Sequence, residues 1–354
     1  LGNQVSIRDI NELNKGLAGL KEKTVWADPA TASEWVFSTL KRSKATIMEA
    51  ADPVALPKST KNSAEISGAA RAHEIDAVPI ARFLHWLEIG IEPGKTTEID
   101  AVRKLEGFRN DTGVLKDISF ETISAFGSNG AMAHYRVSKA SNATFTEGNL
   151  FLVDSGGQYF EGTTDITRTV AIGEPTAEMI KHYTLVLKGH VAMSMIRFPD
   201  GTTGTHLDAI ARQPLWMAGL DYDHGTGHGV GAYLGVHEGP QRIAKGWNAT
   251  PLAPGMIVSN EPGYYIEGQY GIRIENLQYI TDFEELPNSF RPVMGFEPIT
   301  LAPYARNLID TSLLTPEELN WVNDYLKKVA DTVIPMLSDY PDVADWMKTA
   351  CAPF

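Results

Sequence analysis

The chain repeats itself, and that repeat limits its fold more than any other feature. "SAE" at 63–65 opens a long run at helical spacing, and "TAE" at 176–178 opens a second. "PGKTTEIDAVRKLEG" (93–107) then has a counterpart in "PDGTTGTHLDAIARQPL" (199–215), Ile99-Asp100-Ala101 matching Leu207-Asp208-Ala209. The two offsets are 113 and 108 residues, and both halves pass into β-type segments. This pattern reads as a duplicated helix–helix–β unit, an α+β architecture in which two copies share a core. A site built between the copies would draw side chains from both.

The 354 residues suffice for one large domain or two to three ordinary ones. With 43% hydrophobic and 21% charged residues the composition is globular. No apolar run reaches the ~18 residues of a membrane span, so no membrane association is expected. A net charge of −13 disfavours nucleic acid, whose phosphates need Lys and Arg, and suits cations or an amine-bearing substrate. A single cysteine, Cys351, permits no internal disulfide and no cysteine-rich zinc site, as expected in a reducing cytoplasm.

Residues 1–60 read as helix, strand, helix, strand, with Ile7, Ile10, Leu13, Leu17 and Leu20 at helical spacing and "TVWAD" and "ATIMEA" as strands. That is too little for a complete α/β domain. Because the chain opens on Leu1, the segment is expected to be the tail of a longer one. "DPVALPKSTKNS" (52–63) reads as a linker. A helix is expected over Ser63–Ile89, kinked at Pro79, and another over Thr97–Arg109. "ETISAFGSNG" and "AMAHYRV" read as β segments. Near the C-terminus "TPEELNWVNDYLKKVADTVI" is an amphipathic helix with Thr315 as N-cap and Leu319, Val322, Leu326 and Val329 on one face.

"HGTGHGVGAYLGVHEGP" (224–240) gathers three of the nine histidines among six glycines, a stretch poorly suited to core building. Acidic residues give it a context. "NLFLVDSGGQYFEGTTDITRTVAIG" reads as a hairpin in which Asp154 ends an apolar strand and Asp165 lies on its partner. With Glu161-Gly162 as the turn, Asp154 faces Thr169 and Asp165 lies four residues off, roughly 13 Å away. A bulge at Gly156-Gly157 or in "GTT" would be needed to bring them together. Glu261 in "SNEPGYY" and Glu275 in "GIRIENLQYI" follow strand-like runs. Four carboxylates with His228 form a hard, oxygen-rich ligand set suited to Mn²⁺, Co²⁺ or Mg²⁺. Clustered, they would need about two divalent cations, which can share and activate a water. The other histidines are then available to carry protons.

"DSGGQYFEGTTDITRT", "HGTGHGVGAYLGVHEGP", "NEPGYY" and "GIRIEN" closely resemble aminopeptidase P, the Xaa-Pro aminopeptidase family, over about residues 60–354. The resemblance implies the pita-bread fold shared with methionine aminopeptidase, prolidase and creatinase. The duplicated halves accord with it. It divides the chain into a 1–60 remnant of a creatinase-like domain, a 61–294 catalytic domain and a 295–354 extension typical of the long cytosolic form. It implies Asp154, Asp165, His228, Glu261 and Glu275 as ligands of two metal ions, Mn²⁺ first with Co²⁺ or Zn²⁺ as alternatives, Asp165 and Glu275 bridging. It implies His134 near the substrate amine, His224 along the proline pocket, His237 at the scissile carbonyl, Glu261 also as general base, and Arg273 steadying the ligating carboxylates. The implied reaction is hydrolysis of the N-terminal Xaa-Pro bond of peptides by a hydroxide bridging the metals, in a cytoplasmic homodimer. Prolidase, metal-free creatinase and an inactive peptide-binding module are the rival readings. The family's N-terminal domains help shape the pocket, and nothing in this chain can be assigned their role.

Overall fold

The computed structural model describes residues 5–354, which divide into two compact units, 5–58 and 59–354. In the smaller, β1 (Thr24–Ala27), α1 (Glu34–Ser43) and β2 (Thr46–Glu49) form a parallel β–α–β unit, Thr24 paired with Thr46. The helix expected from Ile7 to Leu20 is shorter, a 3₁₀ turn at Ile10–Glu12 running into Leu13–Ala18. Ile7, Ile10 and Leu13 are exposed, and Gly16 within that segment weakens a continuous helix. The proline-rich linker holds one short helix, Ala55–Ser59.

The larger unit is built twice from one plan. The first copy starts with α2 (Ser63–Ile89), capped by Asn62 and Glu65, and α3 (Glu98–Asn110), capped by Thr97 and Asp100. The second starts with α4 (Ala177–Met195) and α5 (Gly204–Trp216), entered through Thr176 and Thr203. Pro79 is buried within α2, and the helix is continuous through it.

Each copy then forms a hairpin nested inside a longer one. In the first, β3 (Ile123–Phe126), β4 (Asn149–Ser155) and β7 (Ile166–Ile172) make an antiparallel sheet, and β4 and β7 continue into β5 (Gly157–Tyr159) and β6 (Gly162–Thr163). In the second, β9 (Ile257–Asn260) and β12 (Asn276–Ile280), joined by β13 (Phe296–Pro298), enclose β10 (Gly263–Ile266) and β11 (Tyr270–Arg273). The register runs unchanged across each junction while the ladder opens there. In the first copy it brings Asp165 opposite Gly156; in the second, Glu261 opposite Glu275.

The expected pairing of Asp154 with Thr169 is therefore corrected: Asp154 pairs with Thr167, and Tyr159 with Gly162 across a Phe160-Glu161 turn. Gly162 sits in the strand because it packs on α2, where a Cβ would lie 3.1 Å from the Ala69 Cα. Moving the turn by one residue moves the register by two. Asp165 becomes the diagonal neighbour of Asp154 on one face, within reach of a shared ion. Gly156 allows the close approach, since a Cβ there would come 1.9 Å from the Thr164 carbonyl oxygen.

"AMAHYRV" is a loop, not a strand. It is held by Glu98, which is fully buried and accepts from Phe126 N at 2.7 Å, Tyr135 Oη at 2.9 Å and Ala143 N at 2.8 Å. Side-chain bonds of this kind replace the ladder a strand would need. The C-terminal helices α6 (Pro316–Val333) and α7 (Pro341–Ala350) share one core with α4: Val322, Leu326, Val329 and Met347 pack with Tyr183, Val186 and Ile272. Thr315 caps α6 with Glu318 as its reciprocal partner. Among the described residues no helix is long and apolar enough to cross a membrane.

Candidate metal centre

The two openings in the ladders face one another. Asp165 immediately precedes β7, Glu275 immediately precedes β12, and the Glu275 amide donates to the Thr167 carbonyl at 3.1 Å, tying the halves together. Between them stands His228, on the short strand β8 (Gly227–His228). Asp165, His228 and Glu275 each offer a ligand atom, all within 4.8 Å of one another. His228 Nε2 lies 3.5 Å from both Asp165 Oδ2 and Glu261 Oε1. Its Nδ1 is 3.0 Å from the Gly229 carbonyl, which only accepts, so Nδ1 carries the proton and Nε2 presents its lone pair to the acidic cluster.

The glycines around His228 have a steric reason. A Cβ on Gly227 would meet the Ser259 carbonyl oxygen at 2.0 Å, and one on Gly229 the Glu238 carbonyl oxygen at 2.2 Å. The Ser259 hydroxyl accepts from His228 N at 2.9 Å and donates to Glu261 Oε1 at 3.2 Å. Backbone thus packs on backbone to bring the imidazole beside Glu261.

The donor set fits divalent cations. Asp154 Oδ1 and Asp165 Oδ1 are buried with no hydrogen-bond partner, a state carboxylates avoid unless a cation is intended. Burial and the charges of Asp154 and Glu261 push Asp165 well above the ordinary carboxylate range. Burial, with Asp165, Glu261 and Asp154, does the same to Glu275. Glu261 is raised by burial too, partly offset by His228 and Arg273. Four carboxylates held this close repel without positive charge among them.

These shifts predict how the metal-free protein responds to pH. A carboxyl whose folded pKa lies above its unfolded value destabilises the fold once it ionises, and the loss is recovered as pH falls through the folded pKa. His190 and His224, both lowered to about 3 chiefly by burial, act in the opposite sense and cost the fold stability as pH falls through the ordinary histidine range, with or without metal. The carboxyl contribution is therefore read as a difference: the gap in melting temperature between cation-loaded and metal-free protein is expected to narrow as pH is lowered from 8 towards 5. Asp76, depressed by Arg109 against its burial, matters only below the ordinary carboxylate range. Melting curves with and without chelator test this; a gap that stays constant or widens over that interval is the contrary result.

Arg273 and Tyr265 organise the other side. Arg273 Nη2 donates to Asp154 Oδ2 at 2.6 Å, and Nη1 to Tyr265 Oη at 2.7 Å. Tyr265 Oη is in turn 2.8 Å from His224 Nε2, while His224 Nδ1 faces the Gly225 carbonyl at 2.7 Å. His224 Nδ1 therefore carries the proton, and Nε2 accepts from the tyrosine. Burial and then the Arg273 charge lower His224 to about 3, keeping the ring neutral. The His237 ring packs edge-on against His228, centroids 4.2 Å apart. His134 lies exposed in the Glu98-braced loop, and its proximity helps to lower both His224 and His237.

All nine side chains anticipated from the sequence thus fall in one region, drawn from both copies of the unit. Sequence reasoning missed Tyr265, Thr167, Ser259 and Glu98. Thr167 donates to Glu275 Oε2 at 2.8 Å and accepts from Arg273 Nε at 3.2 Å. Tyr265, Thr167 and Ser259 lie within or beside the quoted acidic motifs, whereas Glu98 lies in the repeated helical segment 93–107, where nothing local marks it as part of the site.

Metallopeptidase family M24 matches residues 67–282, and the C-terminal region of peptidase M24 matches 292–354. Xaa-Pro aminopeptidase 1 of Dictyostelium discoideum is 42% identical over 339 residues, 94% of this chain and 53% of that protein. Among solved structures, X-prolyl aminopeptidase from Caenorhabditis elegans, described as a cytosolic enzyme with a di-nuclear active site, matches with a TM-score of 0.89. It is 36% identical, over 99% of this chain and 58% of that one. Prolidase from Pyrococcus furiosus matches with a TM-score of 0.68 at 26% identity, over 84% and 80% of the two chains. The chain spans about half the length of the curated relatives it matches. With the duplicated unit folded as a pita bread and both segments of the family matched in order, the chain belongs to metallopeptidase family M24.

Proposed function

We propose that this chain is the catalytic part of an Xaa-Pro aminopeptidase, which removes the residue preceding proline at a peptide's N-terminus. The observation that carries the reading is the convergence of four carboxylates and His228 from both halves, with two buried carboxylate oxygens left without partners. Asp154, Asp165, His228, Glu261 and Glu275 would hold two divalent cations, Mn²⁺ before Co²⁺ or Zn²⁺, with Asp165 and Glu275 shared between them. Two such ions supply an activated water, hydroxide at neutral pH, and polarise the carbonyl under attack.

The chain's own groups do the rest. The acidic cluster draws the substrate amine inward, and His134 stands at the rim to meet it. Glu261, its carboxyl raised, takes the proton released on attack and passes it towards the leaving nitrogen. His237 donates to the scissile carbonyl oxygen as negative charge develops there. His224, kept neutral, presents an uncharged face to the proline ring. Proline's nitrogen carries no hydrogen and its ring fixes φ, so a pocket shaped for that ring can select it. The same reading places the protein in the cytoplasm, as described for the nematode relative, and makes it a homodimer.

Stripping the metal and assaying Arg-Pro-Pro decides the matter. Activity is expected to vanish and to return as Mn²⁺ approaches about two per chain. Cleavage confined to Xaa-Pro dipeptides would make the chain a prolidase. No cleavage of either with both ions bound would overturn the reading.

A further inference from the structure

The loop from Gly229 to Glu238 carries His237, and its tip has a backbone its sequence disfavours. Leu234 adopts φ +70°, a left-handed conformation that costs any residue with a Cβ. Its side chain is 62% exposed, so packing does little to hold it there. The restraint comes from the other half of the molecule. Gln158, on β5 and buried, donates through Nε2 to the Leu234 carbonyl at 3.0 Å and accepts at Oε1 from the Leu234 amide at 3.1 Å. The Thr163 hydroxyl donates to the same Oε1 at 2.6 Å, which fixes the orientation of the carboxamide. Within the loop, Gly231 N bonds to Gly235 O at 2.7 Å and Glu238 N to Gly229 O at 2.8 Å. These bonds link the tip of the loop to the backbone on both sides of His237.

We propose that Gln158 is a positioning residue for His237: its two-point grip on Leu234 sets the path of the loop and holds the imidazole edge-on to His228. This rests on the reading of His237 as the donor to the scissile carbonyl. The Gln158 side chain bonds to Leu234 and Thr163, so on this reading it acts through the loop. A buried carboxamide aimed at one exposed residue is otherwise hard to account for, because a leucine or methionine would fill its place on β5 without desolvating an amide.

Gln158→Met keeps the length of the side chain and removes both hydrogen bonds. For Arg-Pro-Pro, kcat is expected to fall tenfold or more, by analogy with small misplacements of catalytic groups, while KM stays within about twofold. Bound Mn²⁺ should be unchanged, and amides 231–236 should exchange with deuterium markedly faster. Thr163→Val should shift both readouts the same way by less. In a His237→Ala background, Gln158→Met should cost less than about twofold, because the residue it positions is gone. An undiminished loss in that background overturns the proposal, as does unchanged exchange at 231–236. The exchange measurement stands whether or not the unmutated protein cleaves Arg-Pro-Pro, so failure of the functional reading is seen separately.

Discussion

Asp165→Ala is expected to leave a folded protein that cannot hold two cations. The carboxylate it removes is buried, lies 3.5 Å from His228 Nε2 and keeps Oδ1 without a partner. In metal-free protein its charge opposes those of Asp154 and Glu261, so its loss should relieve repulsion and not weaken the fold. With metal the balance reverses. Asp165 sits at the opening of the first hairpin, facing the opening that carries Glu261 and Glu275, and no neighbouring side chain can replace it. On the function proposed above, bound Mn²⁺ should drop from about two per chain to fewer than one, and turnover of Arg-Pro-Pro by at least about a thousandfold, since activation of water and polarisation of the carbonyl would both depend on the pair of ions. Metal analysis beside a kinetic assay reads both quantities. Full Mn²⁺ occupancy with normal turnover would sink the assignment.

The second large effect concerns stability and lies behind the site. Arg168 is buried and surrounded by neutral oxygens. It donates to Pro303 O at 3.0 Å, Thr167 O at 2.9 Å, Glu275 O at 2.7 Å, Asn276 Oδ1 at 2.9 Å, Ala302 O at 2.8 Å and Tyr325 Oη at 3.2 Å. One planar fork thus ties β7, the backbone of Glu275, the segment after β13 and helix α6. Arg168→Met fills most of the volume and leaves several buried acceptors unpaired, each worth about 1–3 kcal/mol. A loss of roughly 3–5 kcal/mol in unfolding free energy is expected from urea titration of the metal-free protein. Arg168→Lys should recover little, because a single ammonium cannot reach acceptors spread around a guanidinium plane. A loss under about 1 kcal/mol would show that water replaces the fork at little cost.

Much of the site was legible before any coordinates. Asp154, Glu261 and Glu275 each stand where a strand-like run meets a charge, Asp165 lies on the partner strand of Asp154, and a buried charge needs a partner. The glycine-rich stretch around His228 stood out as unsuited to core building, and the fold supplies the reason: a Cβ on Gly227 would meet the Ser259 carbonyl oxygen at 2.0 Å. The N-cap at Thr315 lies in a single short stretch of chain. The hairpin register was not legible to within two residues. Whether Gly162 turns the chain or lies in the strand depends on Ala69 of α2, distant in sequence. Tyr265 and Thr167 escaped notice for a related reason. A tyrosine and a threonine in strands have ordinary packing roles, and only the fold brings them to His224 and Glu275.

The local chemistry of the chain, then, is written in its own order: two copies of a helix–helix–β unit, helix caps, and acidic residues at strand ends where desolvation is costly. Such features depend on neighbours a few residues away, and sequence spacing reports them directly. The tertiary structure alone decided that the two ladders open face to face and that Asp154 pairs with Thr167. It alone also brought Gln158 to a loop 76 residues further on and Arg168 to helix α6. Each of these turns on packing between distant segments, and in the hairpin a shift of one residue in the turn moves the register by two and changes which side chains meet.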